Sequence, residues 1–150
     1  MVTLMNSFET QLDHVRIGRA IAAAELRTSG ELRVVVHQYP AVDALAAAKD
    51  EFSRLGMNGT RERNAVLILV APLSHTFAIY GDAGIHAKCG PAFWAEVAGA
   101  MSEHFKSEAF TEGLVHALER AGELLAVHFP RRSDDRNELS DDVVERFPVV

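Results

Sequence analysis

Three short stretches of this sequence bring together residues able to hold a ligand: Ser29 and Glu31 in TSGE, Arg63 and Asn64 in RERN, and Asp82 and Gly84 in YGDAG. Two carboxylates, an asparagine and exposed backbone carbonyls are the oxygen donors that a hard cation such as Ca2+ or Mg2+ prefers. Glu31 and Asp82 are therefore the candidate metal ligands. Gly81 and Gly84 around Asp82 let the backbone approach a ligand closely or adopt a positive φ. Arg63 adds a guanidinium suited to phosphoryl oxygens. The same residues admit a purely structural arrangement, with Glu31 paired to Arg63 and Asp82 capping a short helix that begins near Gly84.

Other chemistry is thinner. His14, His104, His116 and His128 fall on separate helical stretches without HxxxH or HExxH spacing. His37 closes one expected strand and His75 opens another, so they can approach at the far end of the sheet. Without a third ligand they make a poor transition-metal site. His86 lies nearer Asp82 and has the chemistry of a proton donor. Cys89 lacks a complete set of activating neighbours and reads as a packed small thiol. Ser29 has no G-x-S-x-G context, and Gly81–Gly84 lacks the GKS/T ending of a phosphate loop. Phe93 and Trp94 read as core, with a pocket wall as the alternative.

Apolar spacing supplies the elements that must position these groups. A helix is expected over about residues 10–28, with Leu12, Val15, Ile17, Ile21 and Ala24 as its stripe and Gly30 as a left-handed cap or tight turn after it. ELRVVV is β-branched and reads as a strand, with Leu32, Val34 and Val36 on one face and Arg33, Val35 and His37 on the other. Pro40 breaks the chain. Val42, Leu45, Ala48, Phe52 and Leu55 then mark a second helix stopped by Gly56. NAVLILV is apolar at nearly every position, so both its faces must be covered. After the turn PLSH, TFAIYGD returns as a hairpin partner. Pro91 opens a helix with Trp94, Val97, Met101 and Phe105 as its stripe. A last helix runs from Phe110 to a stop before Phe129-Pro130, its Gly113 and Gly122 marking close packing.

A helix between the first two strands makes them parallel, and the hairpin makes the third antiparallel. The starts of strands one and two and the end of strand three then share one end of the sheet. This order gathers Ser29, Glu31, Arg63, Asn64, Asp82 and Gly84 at a single rim.

The chain has 150 residues, 48% hydrophobic and 24% charged, with a formal charge of −6 and one cysteine. That balance fits one globular domain over residues 1–130, followed by an acidic tail over 131–150 that is flexible or loosely docked through Val143-Val144 or the terminal valines. Net negative charge without a basic stretch argues against nucleic acid as a partner. No apolar run reaches the length of a membrane span, so no membrane insertion is expected. MVTLMNSFETQLDHVR lacks the pattern of a secretory signal, and with the lone cysteine this reads as a cytoplasmic protein.

AIAAAELRTSGELRVVV, FSRLGMNGTRERNAVLILV, HTFAIYGDAGIHAKCGPAFW and FTEGLVHALERAGELLAVHFP, in that order, resemble the TPM domain family across residues 15–130. NELSDDVVE in the tail resembles the ending of short bacterial members. The resemblance implies a three-layer α/β/α sandwich around a small mixed central sheet. It maps the TSGE turn onto Thr28–Glu31, the RN step onto Arg63 and Asn64, and GD-GI onto Gly81, Asp82, Gly84 and Ile85. Plant thylakoid relatives are associated with photosystem II maintenance, acid phosphatase activity and calcium binding. An animal relative is a receptor accessory protein, and many bacterial relatives are membrane-tethered. The convergence of Glu31 and Asp82, without a complete catalytic constellation, favours a binding or accessory module for a protein partner or a divalent cation. A metal-assisted phosphomonoesterase is the alternative, and a protein-interaction scaffold with a structural rim is the third.

Overall fold

The computed structural model describes residues 12–38, 42–132 and 142–147. In chain order it contains α1 (His14–Glu25), β1 (Glu31–His37), α2 (Ala44–Arg54), β2 (Ala65–Ala71), β3 (Thr76–Gly81), α3 (Ala83–Cys89), α4 (Pro91–Lys106), α5 (Phe110–His128) and β4 (Val144–Arg146). Single 3-10 turns, Met57–Gly59 and Pro72–Ser74, precede β2 and β3.

Side-chain alternation along the strands decides the layers. Leu32, Val34 and Val36 of β1 join Val66, Ile68 and Val70 of β2 in a core shared with α1, α3, α4 and α5. Val35, Leu67, Leu69 and Ala71 turn to the opposite face, where Ala48 and Phe52 of α2 and Met57 cover them. All seven residues of β2 are buried, as its apolar run requires. The result is a three-layer α/β/α sandwich in which, among the described residues, α2 is the one α-helix on its side.

The sheet order is β3-β2-β1-β4. β1 runs parallel to β2, from Glu31 opposite Ala65 to Val36 opposite Val70. β3 runs antiparallel to β2, with Gly81 opposite Val66 and Thr76 opposite Ala71. Crossover and hairpin are those the element order implies. A fourth strand joins them: β4 lies parallel to β1, with Val144 opposite Val35 and Arg146 opposite His37. Three residues make a weak ladder, and side chains hold it in place. Arg146 Nε donates to both Glu51 oxygens at 3.0 and 3.1 Å. Glu145 accepts from Gln38 Nε2 at 2.7 Å and pairs with His14 Nε2 at 2.8 Å. Val143 and Val144 pack on the two cores, whereas the terminal valines lie outside the described residues, as does Pro40.

Several local expectations change, and Val15, Val42 and Leu45, expected on apolar stripes, are exposed. α1 starts where the Asp13 carboxylate accepts the Arg16 N–H and ends at Glu25, short of residue 28. The Glu25 carboxylate turns back to accept the Leu32 N–H at 2.8 Å, which draws the chain out of the helix and into β1. Gly30 is not left-handed. It is small because a Cβ there would lie 3.2 Å from Leu125 Cδ1 and 3.4 Å from the Asn64 carbonyl. The close packing expected at Gly122 is present: a Cβ there would sit 2.8 Å from that of Ala24, where α5 crosses α1. Among the described residues no helix is long and apolar enough to cross a membrane.

Candidate functional site

The strand directions bring the three stretches to one rim. Asp82 extends β3 by one residue, its N–H donating to the Ala65 carbonyl at 3.0 Å, while Glu31 faces Ala65 from the other side. Glu31 and Asp82 therefore flank the start of β2, two strand spacings or about 10 Å apart. They share the rim with the first residue of β2 between them.

The rim side chains form two hydrogen-bonded groups. In the first, Arg63 grips Asp82 with two parallel bonds, Nε to Oδ2 at 2.6 Å and Nη2 to Oδ1 at 2.7 Å. Asp82 Oδ1 also accepts the Ala83 N–H at 2.8 Å and so caps α3. The arginine expected on Glu31 thus belongs to Asp82. In the second group, Ser29 Oγ donates to Glu62 Oε2 at 2.6 Å, and Asn64 Nδ2 donates to Ser29 Oγ at 3.2 Å and to Glu62 Oε2 at 3.4 Å. Arg132 pairs with the same Glu62 oxygen at 3.0 Å. Sequence reasoning missed Glu62 and Arg132. The alternation of charges in RERN was the only available sign of the former.

Local backbone geometry explains why these groups meet. Arg63 has φ +54°, a left-handed conformation that is uncommon for a residue with a side chain. It is held by a turn in which Arg63 N–H donates to the Thr60 carbonyl and Asn64 N–H to Thr60 Oγ1, both at 3.2 Å. Gly84 then sits directly on this turn, its N–H donating to the Arg63 carbonyl at 2.9 Å. A Cβ on Gly84 would come within 2.6 Å of that oxygen and closer still to the Glu62 carbonyl. Gly84 is a seat for the Arg63 turn.

Electrostatics follow the geometry. Asp82 is only 6% exposed whereas Arg63 is 52% exposed. Burial pulls the Asp82 pKa upward. Hydrogen bonds from Arg63 and the Ala83 N–H, with the nearby charges of Arg63 and His86, outweigh that and hold it below the ordinary carboxylate range. Asp82 in turn raises the Arg63 pKa. A buried anion therefore carries a half-exposed cation as its lid.

The TPM domain model matches residues 7–124. The BA42 protein from the psychrophilic bacterium Bizionia argentinensis, solved by NMR, is similar over 90% of this chain and 95% of its own, at 38% identity and a TM-score of 0.84. The chain belongs to the TPM family. The N-terminal domain of a P. gingivalis protein shares the fold at 15% identity, with a TM-score of 0.58 over 75% of each chain. So does the N-terminal domain of the cg2496 protein from Corynebacterium glutamicum, at 16% identity and a TM-score of 0.56, over 91% of this chain and 80% of that one. No curated protein matches.

At the rim, arginines hold Asp82 and Glu62. Both Asp82 oxygens are engaged by Arg63, Glu31 stands a full strand away on the far side of β2, and Glu62 is held by Arg132. Among the described residues no group of three or more histidine, cysteine or acidic side chains is placed to hold a metal ion. A divalent cation at Asp82 would first have to displace Arg63. In the second group, Asn64 Oδ1 is buried without a hydrogen-bond partner among the described residues.

Elsewhere in this TPM domain the other reactive residues are accounted for. His75 turns to Glu108 at 3.4 Å and to the Phe110 ring, with β2 between it and the His37 strand. Burial pushes the Cys89 thiol above its ordinary pKa, only partly countered by Lys88, which makes it a poor nucleophile. His86 lies against Trp94, ring centroids 5.0 Å apart.

Proposed function

We propose that this TPM domain is a binding or accessory module whose rim presents Asp82 to a cationic group, which takes the place of Arg63. One observation carries the reading: a buried carboxylate, held ionised, is closed by an exposed guanidinium rooted in a left-handed residue. Non-glycine residues in that conformation cost energy and collect at ligand clamps and switch regions. The incoming group is a basic side chain of a partner protein or, in the ion version, Ca2+ or Mg2+ joined by Asn64 Oδ1.

Calorimetric titration of the full chain with Ca2+, Mg2+ and a tetra-arginine peptide tests this. Arg63→Gln, which removes the competing cation, binds at least one of the three more tightly than wild type, and Asp82→Asn binds none. Absence of heat from both metals, with no change in melting temperature, removes the ion version. Absence from all three removes the reading.

A metal-assisted phosphomonoesterase stands second, favoured by Arg63, whose half-exposed guanidinium is free to grip phosphoryl oxygens once it leaves Asp82. Metal-dependent hydrolysis of a chromogenic phosphate ester that disappears in Asp82→Asn supports it. Activity that survives the substitution, or separates from the protein on purification, rules it out.

A further inference from the structure

β3 is the outer strand at the end of the sheet away from β4. Because Asp82 and Ala65 form a hydrogen-bonded pair, antiparallel alternation turns the main-chain groups of Tyr80 toward β2 and those of Ile79 and Gly81 outward. Beside this edge, open among the described residues, where α2, α3 and α4 approach, lies a cleft of about 420 Å³. That size and its largely apolar lining are those of small-molecule sites.

The two walls differ in chemistry. On the α2 side, Lys49 reaches over the Tyr80 ring, its Nζ 5.9 Å from the centroid. On the other, Trp94 carries His86 tilted against it at 41°. Glycine at position 81 makes the second wall possible, since a Cβ there would collide with the Trp94 indole. Lys49 has no carboxylate partner among the described residues, whereas Lys106 pairs with Glu103. An unneutralised ammonium at the mouth of an aromatic cleft selects for negative charge, and the rings select for a flat apolar body.

We propose that this cleft binds a monoanion carrying a ring, its ring between Tyr80 and Trp94 and its carboxylate on Lys49. The cleft adjoins the rim at Gly81 and His86 but goes beyond the cation-exchange reading: its charge selectivity is opposite and its determinants are Lys49, Tyr80 and Trp94. The same chemistry is offered by a free cyclic acid and by the C-terminal phenylalanine of an extended peptide pairing with the outward groups of Ile79 and Gly81.

Trp94 is the only tryptophan in the chain, so its emission and its single indole N–H resonance report on the cleft directly. The full chain is titrated with phenylacetate, with the uncharged phenylacetamide, and with the tetrapeptide N-acetyl-Val-Thr-Val-Phe bearing a free carboxylate. Phenylacetate is expected to give a saturable change in the millimolar range, about tenfold tighter than phenylacetamide. Lys49→Gln is expected to erase that difference, and Lys49→Arg to preserve it, both at unchanged melting temperature because Lys49 is exposed. A tetrapeptide bound more than about tenfold tighter than phenylacetate, with shifts at the Ile79 and Gly81 amides, assigns the ligand to a peptide terminus; equal affinity assigns it to a free acid. No saturable change, equal affinity for acid and amide, or selectivity that persists in Lys49→Gln overturns the proposal.

Discussion

Glu51 of α2 and Arg146 of β4 lie 95 residues apart in sequence and meet as a buried carboxylate and a mostly covered guanidinium, with Nε within 3.1 Å of both oxygens. Glu51 also accepts from Arg54 at 3.0 Å, so the carboxylate keeps a partner if Arg146 is removed. β4 then keeps the Glu145 contacts to Gln38 and His14 beside its short ladder. Arg146→Gln should therefore loosen the strand while leaving the sandwich folded. The Gln38 amide, which donates to the Arg146 carbonyl at 2.7 Å, should exchange with solvent about tenfold faster or more in that variant, with β2 amides unchanged. Equal protection of Gln38 in both proteins would show that the ladder and the Glu145 contacts hold β4 without Arg146.

Asp82 gives stability a pH dependence of defined sign. Its folded pKa lies below the unfolded value of about 3.9, so on acidification the unfolded chain takes up the proton first. The stabilisation is fully present above that value and is lost as pH falls through the lower, folded pKa. Denaturant melts should accordingly show wild type more stable than Asp82→Asn at pH 7, with the gap closing below about pH 4. A gap that persists unchanged to pH 2 would assign the effect to packing.

The seat beneath α3 leaves no room for a side chain. Gly84→Ala must push a methyl group against two backbone carbonyls, which, unlike a flexible side chain, have little freedom to give way. A loss of about 1–3 kcal/mol is expected, read as a shift of the denaturant midpoint at constant slope. Gly99→Ala is the matched control, since nothing lies near a Cβ at that position.

The left-handed turn separates strain from pairing at Arg63. Arg63→Ala loses the ion pair and keeps the unfavourable φ of +54°, whereas Arg63→Gly loses the pair and relaxes the backbone. The glycine variant should melt above the alanine variant. The reverse order would mean that the turn is held at no cost.

The rim was legible in the sequence because strand direction is a consequence of element order. A helix between β1 and β2 and a tight turn between β2 and β3 are enough to place Glu31, Asn64 and Asp82 at one end. Which carboxylate takes Arg63 was not legible, because the choice depends on the backbone hand of a single residue, and no apolar pattern encodes that. β4 was hidden for a related reason. Three residues are too few for alternation to register, and their placement rests on Glu51, Gln38 and His14, each far away in sequence. The aromatic wall of the cleft was half visible: Trp94 stood out by type, but its seat against β3 follows from the bare surface of Gly81, a relation that only packing reveals.

The contact of Gly84 with the carbonyls of residues 62 and 63 has a consequence for how such a domain can be altered. Two turns that touch main chain to main chain cannot drift separately, since a longer or reshaped 60–64 segment would no longer offer α3 its footing. Anyone transplanting this rim into another scaffold would have to carry both turns as one piece, and relatives that have remodelled one should have remodelled the other in step.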